Sequence, residues 1–435
     1  MKFLMFLMFS FGLSYFCLYN MYMICFFILV GMILNVNIMM KMWVVIYSIF
    51  SIDFYSLYLI LLSLWIIGIM MLISMTNMSL ILILFLLLIL MLSFSTFNML
   101  MFYFMFEVSL LPIFMLILFD GYSFERFEAA LYMFFFTLVS SMPFLIMILD
   151  MIQYLNTLMF FMLSFLEYKM WVINFIFMML VFFVKMPIFV VHIWLPKAHV
   201  EAPVYGSMIL AGVLLKLGSY GILRMVQFFY FNINVLMYYF ISFGLISGVI
   251  LSLICLVQID MKMLVAYSSV VHMSLVFSSL MTMSSVGFIG SYLMMIGHGL
   301  CSSGMFYIVY VSYSRVSSRL MYINKGFLNM DSSLSMWWFL LCIGNFSAPI
   351  TLSLIGEIFM LMSLISLDYF LMLYLMMMCF LSASYSLYLF SFTQHGSLNY
   401  ISYNFIKINV KEYFILFIHW FPLNFLTFGL NLFMI

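Results

Sequence analysis

The chain has 435 residues, of which 69% are hydrophobic and only 6% are charged, and its mean hydropathy is +1.31. A water-soluble protein of this length needs far more surface charge, so the composition indicates an all-α polytopic membrane protein. The net charge is +1 and there is no basic tail, so nothing in the charge pattern indicates a nucleic-acid partner.

Apolar stretches of about 20 residues, separated where Asn, Pro, Gly or charges cluster, predict about fourteen transmembrane helices. In chain order they cover residues 2–17, 20–36, 55–75, 79–96, 98–118, 128–150, 170–193, 205–226, 232–256, 262–282, 286–311, 335–365, 368–392 and 412–432. The opening resembles a signal peptide, but it lacks a small-residue cleavage site and continues into further apolar stretches, so we interpret it as a retained first span. No segment between spans is long enough for a soluble domain, which excludes catalysis on a large aqueous substrate.

Positive charge is distributed unevenly between the two sets of loops. The loops after odd-numbered spans contain Arg126, Lys197, Lys262, Arg315, Arg319, Lys325, Lys407 and Lys411, and the opposite side has Lys2, Lys41, Lys169 and Arg224. Because loops rich in Lys and Arg stay on the electrically negative side of a membrane, this bias predicts an even number of spans. Both termini are then expected on the electrically positive side.

Six ionisable residues lie well inside predicted spans, each on a different helix. They are Glu107, Lys185, Lys216, His272, His298 and Glu357. The remaining acids, such as Asp53 and Asp120, fall at span ends, where a solvated or interfacial side chain is expected. A charge inside a membrane costs several kcal/mol, about 3 to above 10, so such residues usually face the protein interior and mark ion or proton pathways.

Two functions fit these six residues. As paired but inert charges they would hold helices together. As groups that exchange protons near neutral pH, because burial disfavours the charged forms and histidine already titrates there, they would form a proton relay. In the second interpretation, Glu107 and Lys185 form an electrostatic gate, and Lys216, His272, His298 and Glu357 form a line across the bundle. We favour the relay.

Two spans combine a proline with a buried charge. Lys185 is followed by Met186 and Pro187, and Pro349 precedes Glu357 in the segment GNFSAPITLSLIGE. Proline breaks or kinks a helix, and interrupted helices carrying ionisable groups are typical of transporters. These two spans, the seventh and twelfth, stand five apart, which predicts inverted repeats over spans 4–8 and 9–13. We divide the chain into N-terminal helices (1–96), a first repeat core (97–226), a second repeat core (227–392), and a polar loop with a final helix (393–435).

Other chemistry is poorly supported. The six cysteines include no C-x-x-C pair, so an iron–sulfur cluster or a disulfide framework is not expected. His192 and His199 are seven apart, a poor spacing for a metal site, and loop hydrogen bonding is the better interpretation. The segment GHGLCSSG (297–304) follows no strand, so its small residues indicate close helix packing rather than phosphate binding. His395 and His419 carry no signal.

Several of these segments together resemble a known family. They are VKMPIFVVHIWLPKAHVEAPVYGSMILAGVLLKLGSYG (184–221), LVAYSSVVHMS (264–274), MMIGHGLCSSG (294–304), INKG (323–326) and the APITLSLIGE region (348–357). They resemble the chain 4 family of NADH:ubiquinone oxidoreductase, antiporter-like subunits of respiratory complex I. The likeness extends from about Phe102 to Trp420. The sister chains 2 and 5 carry Lys in the twelfth span, so Glu357 and the chain length favour chain 4.

The resemblance implies a role for each of the six residues. Glu107, Lys185, Lys216, His272, His298 and Glu357 match the family's proton-translocating positions. It further implies no cofactor in this chain, although the complex uses NADH, FMN, iron–sulfur clusters and ubiquinone. The implied partners are chains 2 and 5, accessory subunits and lipids such as cardiolipin.

The high Met and Phe content, 49 and 54 residues, fits an AT-biased mitochondrial genome and is similar to that of insect versions. Selection for Met-rich packing is the competing explanation. We therefore expect a multi-pass protein of the mitochondrial inner membrane, with both termini toward the intermembrane space. A stand-alone cation/proton antiporter of the same fold is the alternative function, and a purely structural scaffold is a third.

Overall fold

The structure is a computed structural model that describes residues 31, 44–45, 50–73, 76–121, 123–155, 157–163, 172–226, 234–397 and 408–433. The chain forms two compact units, residues 1–185 with 201–233 and residues 186–200 with 234–435. Apart from one antiparallel pair of two-residue strands, β1 (Val44–Val45) and β2 (Ser51–Ile52), and three isolated bridges, the regular structure of the described residues is helical.

From Phe54 onward, the described residues of the first unit form ten helical segments. They are α1 (Phe54–Ile73), α2 (Asn77–Ser95), α3 (Met99–Val108), α4 (Leu110–Asp120), α5 (Arg126–Leu155), α6 (Phe160–Leu163), α7 (Val172–Lys185), α9 (Val204–Ile209), a π-helical segment (Leu210–Leu214) and α10 (Leu215–Val226). The last three are continuous, and α3 and α4 are separated by a single turn at Ser109.

Helices α7 and α10 pack closely because of one glycine. A Cβ added to Gly221 would lie 2.1 Å from the Phe182 ring, so only glycine leaves room for that ring. The helix α9–α10 region is buried along its length except at the half-buried Tyr205, although its sequence reads as an ordinary apolar span. A helix that is apolar on all sides is expected in the interior of a bundle. The unit therefore holds Lys216, on α10, among other helices.

The second unit begins with α8 (Trp194–Glu201) and continues after the first unit's last helix. It contains α11 (Asn234–Val257), α12 (Met261–Met281), α13 (Ser285–Val316), α14 (Phe327–Met330), α15 (Ser332–Asn345), α16 (Leu352–Ile365), α17 (Leu371–Gln394), α18 (Val410–Phe425) and a final 3₁₀ segment (Leu426–Leu432). Ser284 caps α13 by accepting a hydrogen bond from the Gly287 N–H at 3.1 Å, and Asp331 caps α15.

Glycines set the distance between α13 and α16. A Cβ at Gly290 would lie 2.8 Å from the Met360 nitrogen, and a Cβ at Gly356 would lie 2.8 Å from the Met294 nitrogen. Small residues let two membrane helices bring their backbones together. A Cβ added to Gly297 would lie 3.1 Å from the Ser353 nitrogen, so close packing by the GHGLCSSG segment is confirmed.

Described helices overlap each predicted span from the third to the fourteenth, whereas α6, α8 and α14 lie outside the predicted spans, and the total of fourteen stays a prediction. In the described part of the chain, ten helices are long and apolar enough to cross a membrane. Two shorter apolar helices are Val172–Lys185, which precedes Pro187, and Leu352–Ile365, which follows Pro349. The first two predicted spans, 2–17 and 20–36, lie outside the described residues apart from Gly31, which is helical. The four-part division of the chain stays a prediction.

Candidate functional site

Lys185 ends helix α7 with its ammonium group inside the first unit. The side chain is 2% exposed, and its Nζ donates a hydrogen bond to the Phe106 carbonyl at 3.2 Å while lying 3.7 Å from the centre of the Phe106 ring. A cation over an aromatic face is attracted by the ring's negative surface. The lysine is therefore held by the residue that directly precedes Glu107.

Both carboxylate oxygens of Glu107 are buried, and neither accepts a hydrogen bond from a described residue. The Ser141 hydroxyl lies close to this carboxyl group but donates to the Leu138 carbonyl at 3.0 Å. Lys185 and Glu107 are near enough for each charge to act on the other, yet they form no direct ion pair. The direct pair is thus absent, while spacing through one water molecule stays a prediction.

Lys216 follows the π-helical segment of the first unit. It is completely buried, and its Nζ donates to the Ala211 carbonyl at 2.5 Å. A π-helical turn frees backbone groups from the regular α-helical pattern and frequently occurs at functional sites. Here the wide turn presents a carbonyl to the lysine one turn later in the same helix. Sequence reasoning selected Lys216 but gave no sign of the π-helical segment.

Three of the six residues come together in the second unit. The Nδ1 atom of His272, on α12, lies 3.6 Å from Oε1 of Glu357, on α16, and the rings of His272 and His298 are 5.5 Å apart between centres. The side chains are 3% exposed for His272 and 13% for Glu357, and His298 is 2% exposed. The arrangement places an imidazole and a carboxylate at ion-pair distance with a second imidazole beside them, so a proton gained by His272 would be balanced by the Glu357 carboxylate.

The glycine contacts of α13 and α16 explain why this cluster forms. Gly297 precedes His298 and Gly356 precedes Glu357, so the close helix approach occurs one residue away from each ionisable group. The Ser347 hydroxyl, from the segment before α16, also lies close to the Glu357 carboxyl group. Backbone proximity of the two helices therefore places their titratable side chains within reach of α12.

Pro187, which follows Lys185, lies in non-helical backbone, and so does Pro349, which precedes Glu357. Helix α7 ends at Lys185, and residues 186–193 are non-helical; helix α15 ends at Asn345, and α16 begins only at Leu352. Each segment also contains a β-branched residue in left-handed backbone, Val190 (φ 81°) and Ile350 (φ 74°). Such residues are strained there by about 1–3 kcal/mol, and such strain tends to cluster at functional sites.

The structure adds a tyrosine that sequence reasoning missed. Tyr385, on α17, is completely buried, and its hydroxyl lies 3.4 Å from the Nε2 atom of His272. The chain has 29 tyrosines, so no compositional signal distinguishes this one.

Two charges assigned to span ends are instead buried in an ion pair. Arg224 donates to the Asp53 carboxylate through Nη2 and to the Tyr220 hydroxyl at 2.9 Å, and the side chains are 3% and 9% exposed. The expectation of solvated or interfacial side chains was wrong for both residues. Each charge can lie in the protein interior because the other residue supplies the opposite charge beside it. Lys262, assigned to a loop, is also buried, and donates to the Val200 carbonyl at 3.4 Å.

The remaining histidines have other surroundings than expected. His199 lies on α8 rather than in a loop, completely buried and stacked on Phe306 at 4.6 Å, and His192 stacks on Phe189. His419 is completely buried on α18, with Nδ1 at 3.2 Å from the Ser303 hydroxyl, whereas His395 is exposed. Within the described ranges, no three His, Cys, Asp or Glu side chains form a group that could hold a metal ion.

Comparison with known proteins gives the family. Residues 96–383 match the family model "NADH:quinone oxidoreductase/Mrp antiporter, TM". NADH-ubiquinone oxidoreductase chain 4 of Ceratitis capitata is 44% identical over 410 residues, covering 92% of this chain and 91% of the relative. The chain belongs to the NADH-ubiquinone oxidoreductase chain 4 family. The family resemblance carried by the motifs is confirmed, and the chain is a multi-pass membrane protein.

One further relative agrees with chain 4 membership, and two solved structures share the fold. The chain 4 protein of Apis mellifera ligustica is 41% identical over 415 residues, covering 91% of each chain. A chain in "Respiratory complex I from Thermus thermophilus with bound NADH" has the same fold, with a TM-score of 0.89 and 17% identity over 99% of this chain and 96% of that one. A chain of the "Mrp complex from Dietzia sp. DQ12-45-1b" gives a TM-score of 0.78 at 14% identity, covering 87% and 75%.

Proposed function

We propose that this chain is the proton-translocating chain 4 subunit of NADH:ubiquinone oxidoreductase, moving protons across the membrane as electrons pass from NADH to ubiquinone elsewhere in the complex. The observation that carries the mechanism is the buried cluster of His272, His298 and Glu357. The chain 4 relatives, similar over nine-tenths of their length, favour this function over a stand-alone antiporter. Likeness to the Mrp chain concerns the fold alone.

The cluster has the properties that a proton-transfer site needs. A carboxylate and an imidazole 3.6 Å apart are at ion-pair distance, so a proton gained by His272 is stabilised by Glu357, and the second imidazole can receive or supply a proton. Burial keeps bulk water from exchanging protons freely with these groups. A charge that arrives on His272 is balanced by Glu357, so the protonated state is reached without an isolated charge in the interior.

Glu107 and Lys185 act as the gate in this proposal. The lysine's present partners, the Phe106 carbonyl and ring, are neutral, and the Glu107 carboxylate accepts no hydrogen bond from a described residue. A short movement of the lysine side chain would exchange a neutral partner for the carboxylate. Because two unpaired charges are costly in a low-dielectric interior, the two arrangements would have different proton affinities. Lys216, hydrogen-bonded to Ala211, serves as the central proton carrier.

The proposal includes features beyond the family assignment. The chain has about fourteen spans in inverted repeats over spans 4–8 and 9–13, with the seventh and twelfth interrupted at Pro187 and Pro349. It lies in the mitochondrial inner membrane with both termini toward the intermembrane space. It binds no redox centre and assembles with chains 2 and 5, accessory subunits and lipids such as cardiolipin. The helix bounds around both prolines support the interruptions.

The test compares neutral variants in assembled complexes. Glu357→Gln and Glu107→Gln should each lower protons pumped per NADH oxidised by about tenfold while assembly, judged by blue-native electrophoresis, stays normal. Glu125→Gln is the matched control, because Glu125 is exposed before α5. Normal pumping by an assembled Glu357→Gln complex contradicts the site. Migration of the chain only as a small, NADH-independent particle contradicts the subunit assignment.

A further inference from the structure

Tyr385 is the polar side chain that the proposed mechanism leaves without a task. It is completely buried on α17, a helix whose outer face exposes large apolar residues such as Leu373 and Phe380. Its hydroxyl lies 3.4 Å from His272 Nε2. Buried tyrosine hydroxyls normally have a hydrogen-bond partner, so the contact selects one orientation of the ring.

The two nitrogens of His272 face partners of different chemistry. Nδ1 faces the carboxylate of Glu357, which when ionised only accepts hydrogen bonds, so the neutral imidazole is favoured with its proton on Nδ1. Nε2 then carries the lone pair and accepts from the Tyr385 hydroxyl. When a second proton reaches Nε2, the hydroxyl can rotate so that its oxygen accepts a hydrogen bond from the new Nε2–H, since a phenol oxygen both donates and accepts.

We propose that Tyr385 is a positioning residue for proton transfer, which fixes the tautomer of His272 and stabilises its protonated ring. This inference rests on the proposed function, because it assigns a role to the surroundings of a residue in that pathway. Hydrogen bonds to a neighbouring group commonly set which nitrogen of a histidine is protonated. Tyr385 thereby directs the Nδ1 proton of His272 toward Glu357.

Three helices bring polar side chains to His272. Glu357 on α16 and His298 on α13 are its titratable neighbours, and Tyr385 reaches it from α17. Three thiols are also within electrostatic range of Tyr385; they are Cys255 on α11, Cys301 on α13 and Cys379 on α17. Thiols ordinarily titrate near 8.5, well above the range of histidine. Glu357 and His298 are therefore the groups that compete with Tyr385 in tuning His272 near neutral pH.

The experiment removes only the hydroxyl. Tyr385→Phe is introduced into the intact complex, and proton pumping per NADH oxidised is measured in sealed vesicles across a series of pH values. Tyr388→Phe is the matched control, since Tyr388 lies one turn further along the same helix and packs its ring on Phe392. His272→Gln and the double variant Tyr385→Phe with His272→Gln complete a cycle.

The expected result follows from the stronger hydrogen bond that a charged group makes. Loss of the hydroxyl costs the protonated ring more than the neutral one, so protonation of His272 needs a roughly tenfold higher proton concentration. The alkaline limb of the pumping profile should move by about one pH unit toward lower pH. Tyr388→Phe should leave it unchanged, and the double variant should be no worse than His272→Gln alone.

The contrary outcomes are distinct. An unchanged pH profile in Tyr385→Phe, with His272→Gln impaired, overturns this inference and leaves the proposed function intact. Normal pumping by an assembled His272→Gln complex contradicts the role of His272 itself. A double variant clearly worse than His272→Gln means that Tyr385 acts through other contacts. Failure of Tyr385→Phe to assemble also counts against the proposal, because a positioning hydroxyl predicts an assembled but mistuned complex.

Discussion

Replacing Asp53 with asparagine leaves one charge of a buried pair without its counterion. The Arg224 guanidinium is 3% exposed, and after the change it keeps the Tyr220 hydroxyl at 2.9 Å and the Tyr220 ring at 4.8 Å. Breaking a buried pair from one side usually costs about 3–5 kcal/mol, and these neutral contacts favour the lower end. We therefore expect Asp53→Asn to lower the free energy of unfolding by about 3 kcal/mol. Far-UV circular dichroism during thermal unfolding in detergent measures it.

A double replacement separates charge from packing. Asp53→Asn combined with Arg224→Met removes both charges, so it should be more stable than Asp53→Asn alone, by about 1–2 kcal/mol. Asp368→Asn is the control, because Asp368 is exposed and should cost less than about 0.5 kcal/mol. The reasoning is refuted if Asp53→Asn matches this control, or if the double variant is less stable than the single one.

Three further predictions concern the site and its supports. Lys216→Ala should lower proton pumping per NADH oxidised by at least about tenfold in assembled complexes. His192→Ala removes only a ring stacked on Phe189, so it should change pumping by less than about twofold. Equal effects of the two variants would show that the proton-carrying residues are wrongly assigned. Gly356→Val should lower the free energy of unfolding by about 1–3 kcal/mol, measured by thermal unfolding, and should also lower proton pumping. The reason is that its Cβ would lie 2.8 Å from the Met294 backbone nitrogen. A stable, active variant would contradict the close approach of the two helices. Asp331→Ala should cost about 1 kcal/mol at neutral pH through loss of the helix cap. Burial acts to raise the pKa of Asp331, but hydrogen bonds from Ser333, Tyr413 and two backbone N–H groups outweigh it, so the pKa is lowered. The stabilisation is therefore present above about pH 3.9 and lost as pH falls through the folded-state pKa, so variant and wild type should converge in acid; a constant difference would exclude this.

Sequence reasoning found the residues whose chemistry contrasts with their surroundings. Lys216 and Glu357 are conspicuous because a charge within an apolar run is rare, and Pro187 and Pro349 carry a backbone constraint that sequence shows directly. Asp53 and Arg224 were misassigned, since they are 171 positions apart and each alone looks like an ordinary charge at a span end. Tyr385 was missed because its role depends on which helix contacts α12, and that packing is set by many weak contacts.

The π-helical segment before Lys216 has a consequence for insertions and deletions. A π turn is equivalent to one extra residue inserted into an α-helix, so removing a single residue between Leu210 and Leu214 could restore regular α-helix. That shortening would rotate Lys216 by about 100° relative to the preceding turns and shift it by about 1.5 Å along the axis. Such a deletion would point the lysine at a different neighbour while leaving every other side chain chemically unchanged. The direction of Lys216 is thus encoded in the count of residues before it as much as in their identity.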